Sequence, residues 1–218
     1  MNQKELHHII SILKEVYERS PRPIATYFQE TTHNPFKVLI STILSPRARD
    51  SQTEKISKEL FNVADTPEKL SKLSLKEIET IIYSIGFYHS KAKRVQGASK
   101  LLIEKFNSNV PNSLEELLKI PGVGRKVANI ILAECYNQEV IAVDIHTLRI
   151  PNRLGLIKTK TPLETEKELM KLFPKSQWKY INRYLVAFGQ NVCLPMSPKC
   201  SQCPINRYCA KQGVNRSR

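Results

Sequence analysis

The sequence predicts an all-α protein, and three observations lead to that prediction. Glycine accounts for only seven of 218 residues, so the residue that best suits turns and strained backbone is scarce. Apolar residues recur at helical spacing in several stretches, which indicates amphipathic helices that each bury one face. The alternating pattern typical of strands is nearly absent, and its best candidate, residues 140–143, is short enough to be an extended connection. We therefore expect about ten short helices.

The first helix is predicted near the N-terminus, where an apolar stripe occupies one helical face. The stripe consists of Leu6, Ile9, Ile10, Leu13, Val16 and Tyr17. Further along, Thr66 precedes a proline, and Ser74 precedes Glu77 by three residues. Both patterns are typical of helix starts, because the hydroxyl can cap an amide and proline suits the first helical position. The helix after Ser74 is expected to end at Gly86 and to carry the stripe Ile78, Ile81, Ile82 and Ile85.

Two helices joined by a tight glycine turn are predicted over residues 114–133. Ser113 and Glu116 form a capping-box pattern for the first helix, which is expected to end near Ile120. The turn reads Pro-Gly-Val-Gly, and the second helix is predicted to begin at Arg125. Its apolar stripe is Val127, Ile130, Ile131 and Cys135. We expect Cys135 to be a buried free cysteine, and the whole pattern is a helix–hairpin–helix.

Two more helix starts follow the hairpin. Asp144 precedes an amphipathic stretch and is predicted to be its N-cap. Thr161, Pro162 and Glu164 form another capping box, with proline at the first helical position. The basic end of the chain, residues 215–218, is expected to fray.

The charge balance points to a polyanionic partner. The chain has 34 basic and 20 acidic residues, a formal net charge of +14. Small domains usually carry a charge of roughly 2–8 in magnitude, so this excess favours nucleic acid or an acidic membrane surface as a partner. No stretch approaches the ~18 apolar residues of a membrane span, and residues 1–10 lack the apolar run of a signal peptide. We expect no targeting segment and a reducing cell interior.

Four of the five cysteines lie in the last 26 residues, which indicates a metal site rather than a disulfide framework. Cys193, Cys200, Cys203 and Cys209 have the spacing C-x6-C-x2-C-x5-C. Thiolates bind zinc or iron–sulfur clusters, and the residues alone leave both open. Zinc ribbons usually pair two C-x2-C knuckles, whereas this chain has one such knuckle with a single cysteine on each side. The spacing therefore favours an iron–sulfur cluster over zinc.

The glycine turn is suited to binding phosphate. Its glycines let the backbone approach a partner closely, and amides at a helix N-terminus attract anions. Such a turn grips a DNA backbone without reading its bases. The candidate contacts are Gly122, Val123, Gly124 and Arg125. Two other glycine-rich motifs do not match this turn. A dinucleotide-binding fingerprint needs a glycine where this chain has Val127, and a P-loop needs a Ser or Thr directly after the lysine that stands here as Lys126.

Lys126 is a candidate nucleophile. The helix N-terminus and the adjacent Arg125 both disfavour a protonated amine, as would burial in a cleft. An uncharged lysine can attack a sugar C1′ and form a Schiff base; the alternative is a solvated basic residue beside phosphate. Asp144 can cap its helix and also act on the lysine or on a cationic sugar. His146 is more typical of a structural or phosphate-contacting histidine than of a catalyst.

These motifs resemble the endonuclease III family of DNA repair enzymes, over nearly the whole chain. Four motifs occur in order: GFYHSKA at 86–92, IPGVGRK at 120–126, VDIH at 143–146, and the cysteine tail. The resemblance implies a bifunctional DNA glycosylase with apurinic/apyrimidinic (AP) lyase activity.

The resemblance also implies an architecture of two helical domains with an active-site cleft between them. Residues 28–138 would form a six-helix barrel domain that includes the helix–hairpin–helix at 114–133. Residues 1–27 and 139–218 would form an iron–sulfur cluster domain.

Residue roles follow from the same resemblance. Lys126 aligns with the family's Schiff-base lysine and Asp144 with its catalytic aspartate. The implied ligands of a [4Fe–4S] cluster, chiefly structural and DNA-facing, are Cys193, Cys200, Cys203 and Cys209. The implied mechanism flips the damaged nucleotide out of the duplex, displaces the base by lysine attack, and cuts the strand by β-elimination. Family substrates are oxidised or ring-saturated pyrimidines.

Three positions depart from the family pattern. Arg47 stands where the family has a glutamine that fills the gap left by the flipped base, and Phe87 replaces a leucine wedge. Both side chains have flat faces that can fill space and stack, so we expect them, with His146, to contact DNA. The alternative for Phe87 is packing in the core. Ile145 replaces a threonine. These changes leave the lysine chemistry intact and concern lesion preference.

Two alternatives are disfavoured. Monofunctional mismatch glycosylases for thymine or adenine lack the lysine found here as Lys126, and adenine glycosylases carry a glutamate where this chain has Thr42. A non-catalytic DNA-binding or redox-sensing module would need neither Lys126 nor Asp144.

We predict a monomeric, cytoplasmic, nucleoid-associated enzyme without a membrane partner. Its substrate would be double-stranded DNA with a damaged base or an abasic site.

Overall fold

The structure is a computed structural model that describes residues 2–218. Over that range it has twelve α-helices, three short 3-10 helices and no strand, which confirms the all-α prediction with slightly more helices than expected. Residues 140–143 are an extended connection between two helices, as predicted. None of the helices in the described range has the length and apolar character needed to cross a bilayer.

The chain divides into two compact units. One combines Met1–Pro23 with Glu139–Arg218; it contains the four-cysteine motif, and we call it the cysteine unit. The other, Ile24–Gln138, contains the glycine turn, and we call it the hairpin unit. The barrel and cluster-domain architecture expected from the resemblance stays a prediction.

The hairpin unit is built around a buried central helix. Its helices are α2 (Ile24–Thr32), α3 (Pro35–Leu44), α4 (Asp50–Val63), α5 (Pro67–Lys72), α6 (Leu75–Ile82), α7 (Tyr88–Phe106), α8 (Leu114–Leu117) and α9 (Arg125–Tyr136). In α3 every residue from Val38 to Leu44 is buried. The hydroxyls of Ser41 and Thr42 donate to the Val38 carbonyl at 3.0 and 2.6 Å, so these buried polar groups are satisfied. Helices α2, α4, α7 and α9 pack against α3.

The cysteine unit combines the first helix of the chain with residues Glu139–Arg218. Its helices are α1 (Gln3–Glu18), α10 (Ile145–Leu154), α11 (Pro162–Leu172) and α12 (Trp178–Asn191), with 3-10 helices at Lys175–Gln177, Cys200–Gln202 and Asn206–Tyr208. Helix α1 packs on α12. The predicted stripe of α1 is buried except for the half-buried Val16, and it shares one core with Ile181, Leu185 and Phe188.

The predicted helix starts have mixed outcomes. Thr66 caps α5, and full capping boxes form at the starts of α6 and α11. At α8, Ser113 caps the amide of Glu116, but the Glu116 carboxylate accepts from the Ser113 hydroxyl rather than from its backbone amide. Helix α8 also ends at Leu117 rather than near Ile120. The difference has a physical cause: the next residues close tighter i→i+3 turns ahead of Pro121, which disfavours helical backbone before it.

The end of the chain corrects an expectation. Residues 215–218 do not fray, because the last residue pairs with the cysteine loop in both directions. The backbone amide of Arg218 donates to the carbonyl of Pro198 at 2.9 Å, and the amide of Ser201 donates to the carbonyl of Arg218 at 3.2 Å. Backbone pairing of this kind satisfies groups that a free end would leave to water.

Candidate active site and cysteine cluster

The glycine turn of the hairpin unit is fixed by the helices behind it. Gly122 has φ +86°, in the left-handed region that suits glycine. A Cβ atom there would lie 3.1 Å from Ile43 Cγ2 of α3 and 3.2 Å from Arg94 Cβ of α7. Val123 is buried, and its amide donates to the Ile120 carbonyl at 3.0 Å. The turn therefore packs tightly on its inner side.

The outer side of the same turn is open. Gly124 is exposed and is the N-cap of α9, and a Cβ atom added to it would meet nothing within 4 Å. The first amides of any α-helix lack partners within the helix and carry partial positive charge. No acidic side chain lies in the first turn of α9. This end of the helix is therefore accessible to an anion such as phosphate.

Lys126 is the second residue of α9. It is half-buried, whereas its neighbour Arg125 is exposed. On the buried side of the helix, Cys135 is a free cysteine that is half-buried rather than fully buried. Burial raises the pKa of the Cys135 thiol to about 12, so the side chain stays protonated and unreactive at neutral pH.

Asp144 lies in the cysteine unit and caps α10, as the sequence predicted. Its Oδ1 accepts from the amides of His146 at 2.9 Å and Thr147 at 2.8 Å. Asn182 of α12 donates to the Ala142 carbonyl and to Thr147 Oγ1, both at 3.1 Å. These contacts fix the start of α10 and hence the direction of the half-buried Asp144 carboxylate.

His146 is packed into the cysteine unit. Its ring lies so close to Gly189 of α12 that a Cβ atom at position 189 would collide with Nδ1. Arg149 Nη2 lies 3.1 Å from His146 Nδ1 and donates to the Cys193 carbonyl at 2.9 Å. This setting is a structural one, and a DNA contact by His146 stays a prediction.

The four cysteines of the tail motif line one cavity. Its other lining residues are Arg153, Leu154, Phe188, Val192, Pro198, Lys199, Asn206 and Val214. Arg153 Nη1 lies 3.3 Å from Cys193 Sγ, and the amide of Lys211 lies 3.3 Å from Cys209 Sγ. Burial raises the pKa of Cys203 to about 11 and also raises the pKa of Cys209. Without a metal these two thiols are therefore protonated at neutral pH.

The thiols do not converge on a point. Among residues 2–218, no three His, Cys, Asp or Glu side chains come together closely enough to hold a single metal ion. The donor set is nevertheless suited to a larger group, because four soft sulfur atoms surround one largely apolar cavity. Donors from Arg153 and Lys211 point at two of the sulfurs and would stabilise their thiolate forms.

Arg47 and Phe87 stack on each other in the hairpin unit. The Arg47 guanidinium carbon lies 4.8 Å from the centroid of the Phe87 ring. Both residues have left-handed backbone, with φ +59° and +63°, which is uncommon outside glycine and strained for a bulky residue. Phe87 is 61% exposed. Two strained residues that present a flat, exposed pair indicate a contact surface rather than a core.

Two positioning residues, Arg149 and Arg153, were not predicted from the sequence. Arg153, one turn after Arg149 on α10, donates to the carbonyls of Leu194 at 2.8 Å and Pro195 at 3.1 Å. Both arginines thus fix the loop between the first two cysteines. The available signal was their spacing, since they follow Asp144 by five and nine residues on the helix that it caps.

Comparisons with known proteins show the family of the chain. Residues 40–175 match the family model described as HhH-GPD superfamily base excision DNA repair protein. The class that the fold and the hairpin define is therefore that of the helix–hairpin–helix base-excision-repair enzymes. The chain is 46% identical to endonuclease III of Thermotoga maritima over 201 residues, which cover 92% of each chain. It is 38% identical to endonuclease III of Bacillus subtilis, over 85% of this chain and 84% of that one.

The solved structures lead to the same family. A trapped covalent intermediate of endonuclease III with DNA has a TM-score of 0.87 and 33% identity to this chain, over 97% of each. The chain belongs to the endonuclease III family. It is a bifunctional DNA glycosylase with AP lyase activity that acts in base excision repair.

Proposed function

We propose that Lys126 is the nucleophile of this glycosylase and lyase. Its position carries the proposal: it lies half-buried in the first turn of α9, two residues after the exposed Gly124. The amine attacks the sugar C1′, the bond from C1′ to the base breaks, and the base leaves with that electron pair and takes up a proton. The amine gives up one proton as it bonds to C1′. The C1′–O4′ bond then breaks, O4′ takes up a proton, and the opened sugar is left as a protonated Schiff base with the lysine. Loss of a C2′ proton then expels the 3′ phosphate by β-elimination.

Asp144 assists this chemistry in our proposal. A carboxylate stabilises the positive charge that develops on the sugar as the base departs. It also accepts a proton from the lysine before or after attack. The N-cap contacts to His146 and Thr147 hold the carboxylate in one orientation, so no reorganisation is needed during the reaction.

DNA would be held by the hairpin and by the stacked pair. The amides around Gly122, Val123, Gly124 and Arg125 bind backbone phosphate, as the open outer side of the turn allows. Arg47 and Phe87 enter the space that the flipped nucleotide vacates, where their flat faces stack on bases. His146 contributes at the start of α10.

The cofactor in this proposal is a [4Fe–4S] cluster on Cys193, Cys200, Cys203 and Cys209. The observations that support it are the four thiols around one cavity and the N–H groups of Arg153 and Lys211 at two of the sulfurs. When bound, the cluster supplies a cross-link between distant parts of the tail. Arg153 and Arg149 then keep the loop after Cys193 attached to α10.

The proposed substrate is double-stranded DNA with an oxidised or ring-saturated pyrimidine, or with an abasic site. We propose a monomeric enzyme of the cytoplasm, associated with the nucleoid. The bacterial endonuclease III relatives support this assignment.

The test of Lys126 is covalent trapping. Borohydride reduction of the protein with abasic-site duplex DNA is expected to yield a cross-linked complex, because the reductant converts a Schiff base to a stable amine. Lys126→Gln should abolish the cross-link, while Lys119→Gln, an exposed lysine in the same motif, should leave it unchanged. Trapping that persists in well-folded Lys126→Gln would falsify the assignment.

A second variant separates the role of Asp144 from its structural role. Asparagine also caps helices well, so Asp144→Asn should fold normally while losing the negative charge. Base excision is then expected to slow by about two orders of magnitude or more. A variant with an intact melting curve and parental excision rates would rule out a catalytic role for Asp144.

A further inference from the structure

The last nine residues of the chain fold back over the cysteine cavity. We call residues 210–218 the C-terminal strap. Its sequence has no apolar stripe and carries Lys211, Arg216 and Arg218, so composition alone predicts a solvated tail. The structure instead ties it down at both ends and at its centre.

The near end of the strap is attached to α10. The amide of Ala210 donates to the Leu154 carbonyl at 3.2 Å, and the amide of Gln212 donates to the Arg153 carbonyl at 3.0 Å. Gly155 makes this approach possible, because a Cβ atom there would lie 2.9 Å from the Ala210 Cβ. Gly155 also has φ +80°, so glycine meets both requirements.

The far end of the strap is attached to the cysteine loop itself. The amide of Arg218 donates to the Pro198 carbonyl, and the amide of Ser201 donates to the Arg218 carbonyl. These two hydrogen bonds keep the end of the chain from fraying. Pro198 precedes Cys200 by two residues, and Ser201 follows it directly. The strap therefore spans the cavity from the end of α10 to the second cysteine.

The centre of the strap turns one apolar side chain inward. Val214 lines the cavity with the four cysteines and is half-buried, whereas Asn215 and Arg216 are exposed. A turn at Lys211–Val214, with φ +53° at Lys211 and +68° at Gly213, aims the valine at the cavity. A strained turn at an otherwise polar tail is a feature that the surrounding contacts must maintain.

We propose that the C-terminal strap is the cover of the cysteine cavity and limits the access of dissolved oxidants and chelators to the sulfur ligands and their metal. The inference rests on the metal site put forward under Proposed function. Apolar residues against a cluster exclude water and ions, and solvent exposure is one of the factors that govern its reactivity. Opening the strap should therefore speed the loss of the group without altering the helices that form the unit.

The experiment measures bleaching of the visible absorbance of the holoprotein as isolated. Two oxidants are used, the anion ferricyanide and the neutral hydrogen peroxide. A change in the electrostatic potential of the strap alters the rate with ferricyanide only, whereas a change in access to the cavity alters the rate with both. The variants are a chain ending at Gln212, the point variant Val214→Ser, and the control Arg216→Gln, which removes an exposed charge from the same strap. Far-UV circular dichroism and the melting temperature check that each variant is folded.

The expected result is bleaching about tenfold faster than parent in the truncated chain, and several-fold faster in Val214→Ser, with both reagents. The truncation removes two arginines, so electrostatics alone would slow ferricyanide; faster bleaching there indicates access. Arg216→Gln should match the parent. Equal bleaching rates in parent and truncated chain, with both folded, would overturn the proposal.

Two variants at the contact between Gly155 of α10 and Ala210 of the strap provide a second test. Gly155→Ala should push Ala210 away and speed bleaching, and Ala210→Gly in the same chain should restore part of the protection by removing the colliding Cβ. Acceleration that Ala210→Gly fails to reduce would assign the effect to α10 rather than to the strap.

The metal content of the parent protein tests the cofactor proposal separately from the strap proposal. Four iron and four sulfide per chain are expected for a cubane cluster. Zinc in their place overturns the cofactor proposal alone, and the rate of zinc transfer to EDTA then replaces bleaching in the same comparison. Equal transfer rates in parent and truncated chain would overturn the strap.

Discussion

Lys91 contributes a buried amine to the hairpin unit. The residue is 3% exposed, and its Nζ has no hydrogen-bond partner. Burial, with Arg94 nearby on α7 as a second cause, lowers the pKa of Lys91 from 10.5 to about 8. At neutral pH the amine is therefore mostly charged while it is buried without a hydrogen-bond partner, which destabilises the folded state.

Replacing Lys91 should stabilise the protein in a pH-dependent way. At pH 7, Lys91→Met is expected to raise the free energy of unfolding by roughly 1–3 kcal/mol, because the side-chain volume is kept and the buried charge is lost. Between about pH 8 and 10.5 the folded parent releases this proton before the unfolded chain does, so the parent gains stability and the difference shrinks. Urea unfolding at pH 7 and pH 10 measures both values.

The control for this prediction is Lys93→Met, which changes an exposed lysine of the same helix. It should leave the free energy of unfolding within about 0.5 kcal/mol of parent at either pH. If Lys91→Met destabilises the protein at pH 7, the amine makes a favourable interaction and the argument fails.

Residue roles were predictable where the partner is close in sequence. Asp144 was correctly assigned as an N-cap because the amides that it accepts from follow it by two and three residues. Arg153 could not be assigned in this way, because its partners at Cys193 and Leu194 lie about forty residues further along the chain. The Arg47–Phe87 stack likewise joins two loops forty residues apart. Such contacts depend on tertiary packing, which local patterns do not contain.

At the level of elements, the two glycines of the hairpin turn are required for different physical reasons. Gly122 needs its positive φ, and a Cβ atom there would fit only tightly between Ile43 and Arg94. Gly124 has an ordinary φ of −98° and faces open space. The first is required by the fold. The second leaves room outside the protein, where a phosphate would approach.

Alanine at these two positions should therefore separate stability from binding. Gly122→Ala is expected to lower the free energy of unfolding by about 1–3 kcal/mol, through strain and steric contact. Gly124→Ala should change it by less than about 1 kcal/mol and yet weaken duplex DNA binding several-fold, since its methyl group occupies the phosphate site. Thermal melts and fluorescence anisotropy with duplex DNA provide the two measurements. Parental DNA affinity in Gly124→Ala would argue against backbone phosphate binding by this turn.

Elements were predicted best where capping and periodicity agree. The start of α6 combines Ser74, Glu77 and an isoleucine stripe, and the helix begins where expected, although it ends at Ile82 rather than at Gly86. The end of α8 was wrong because the apolar pattern continues through Leu118 and Ile120, while the backbone has already tightened into turns. Apolar spacing reports burial, and a 3-10-like turn buries similar positions.

Across the whole molecule, positive charge is unevenly divided. The cysteine unit has eighteen basic and eight acidic residues, against sixteen and twelve in the hairpin unit. Residues 169–218 contain nine basic residues and no acidic one. We therefore expect the cysteine unit to contribute most of the electrostatic attraction to DNA.

The salt dependence of DNA binding should follow this division. Removing two charges from the tail, in Lys199→Gln with Arg207→Gln, is expected to reduce the slope of log affinity against log salt by about 1–2. Removing two from the exposed side of the hairpin unit, in Lys72→Gln with Lys76→Gln, should leave the slope nearly unchanged. Anisotropy titrations of an undamaged duplex at several salt concentrations measure both slopes. Equal reductions in the two variants would contradict the assignment.

The cysteine unit is assembled from both ends of the chain, and this has a consequence for biosynthesis. Helix α1 is synthesised before the hairpin unit, whereas the α12 residues that cover its apolar face are synthesised after it. The apolar side chains of this helix, among them Leu6, Ile9 and Leu13, therefore stay exposed until α12 has been synthesised. During that time they are a target for chaperones that recognise hydrophobic segments. The core of the unit can close only after α12 has been synthesised, through pairing of two helices about 160 residues apart in sequence. Such non-local pairing is slow, so we expect this closure to be a slow folding step.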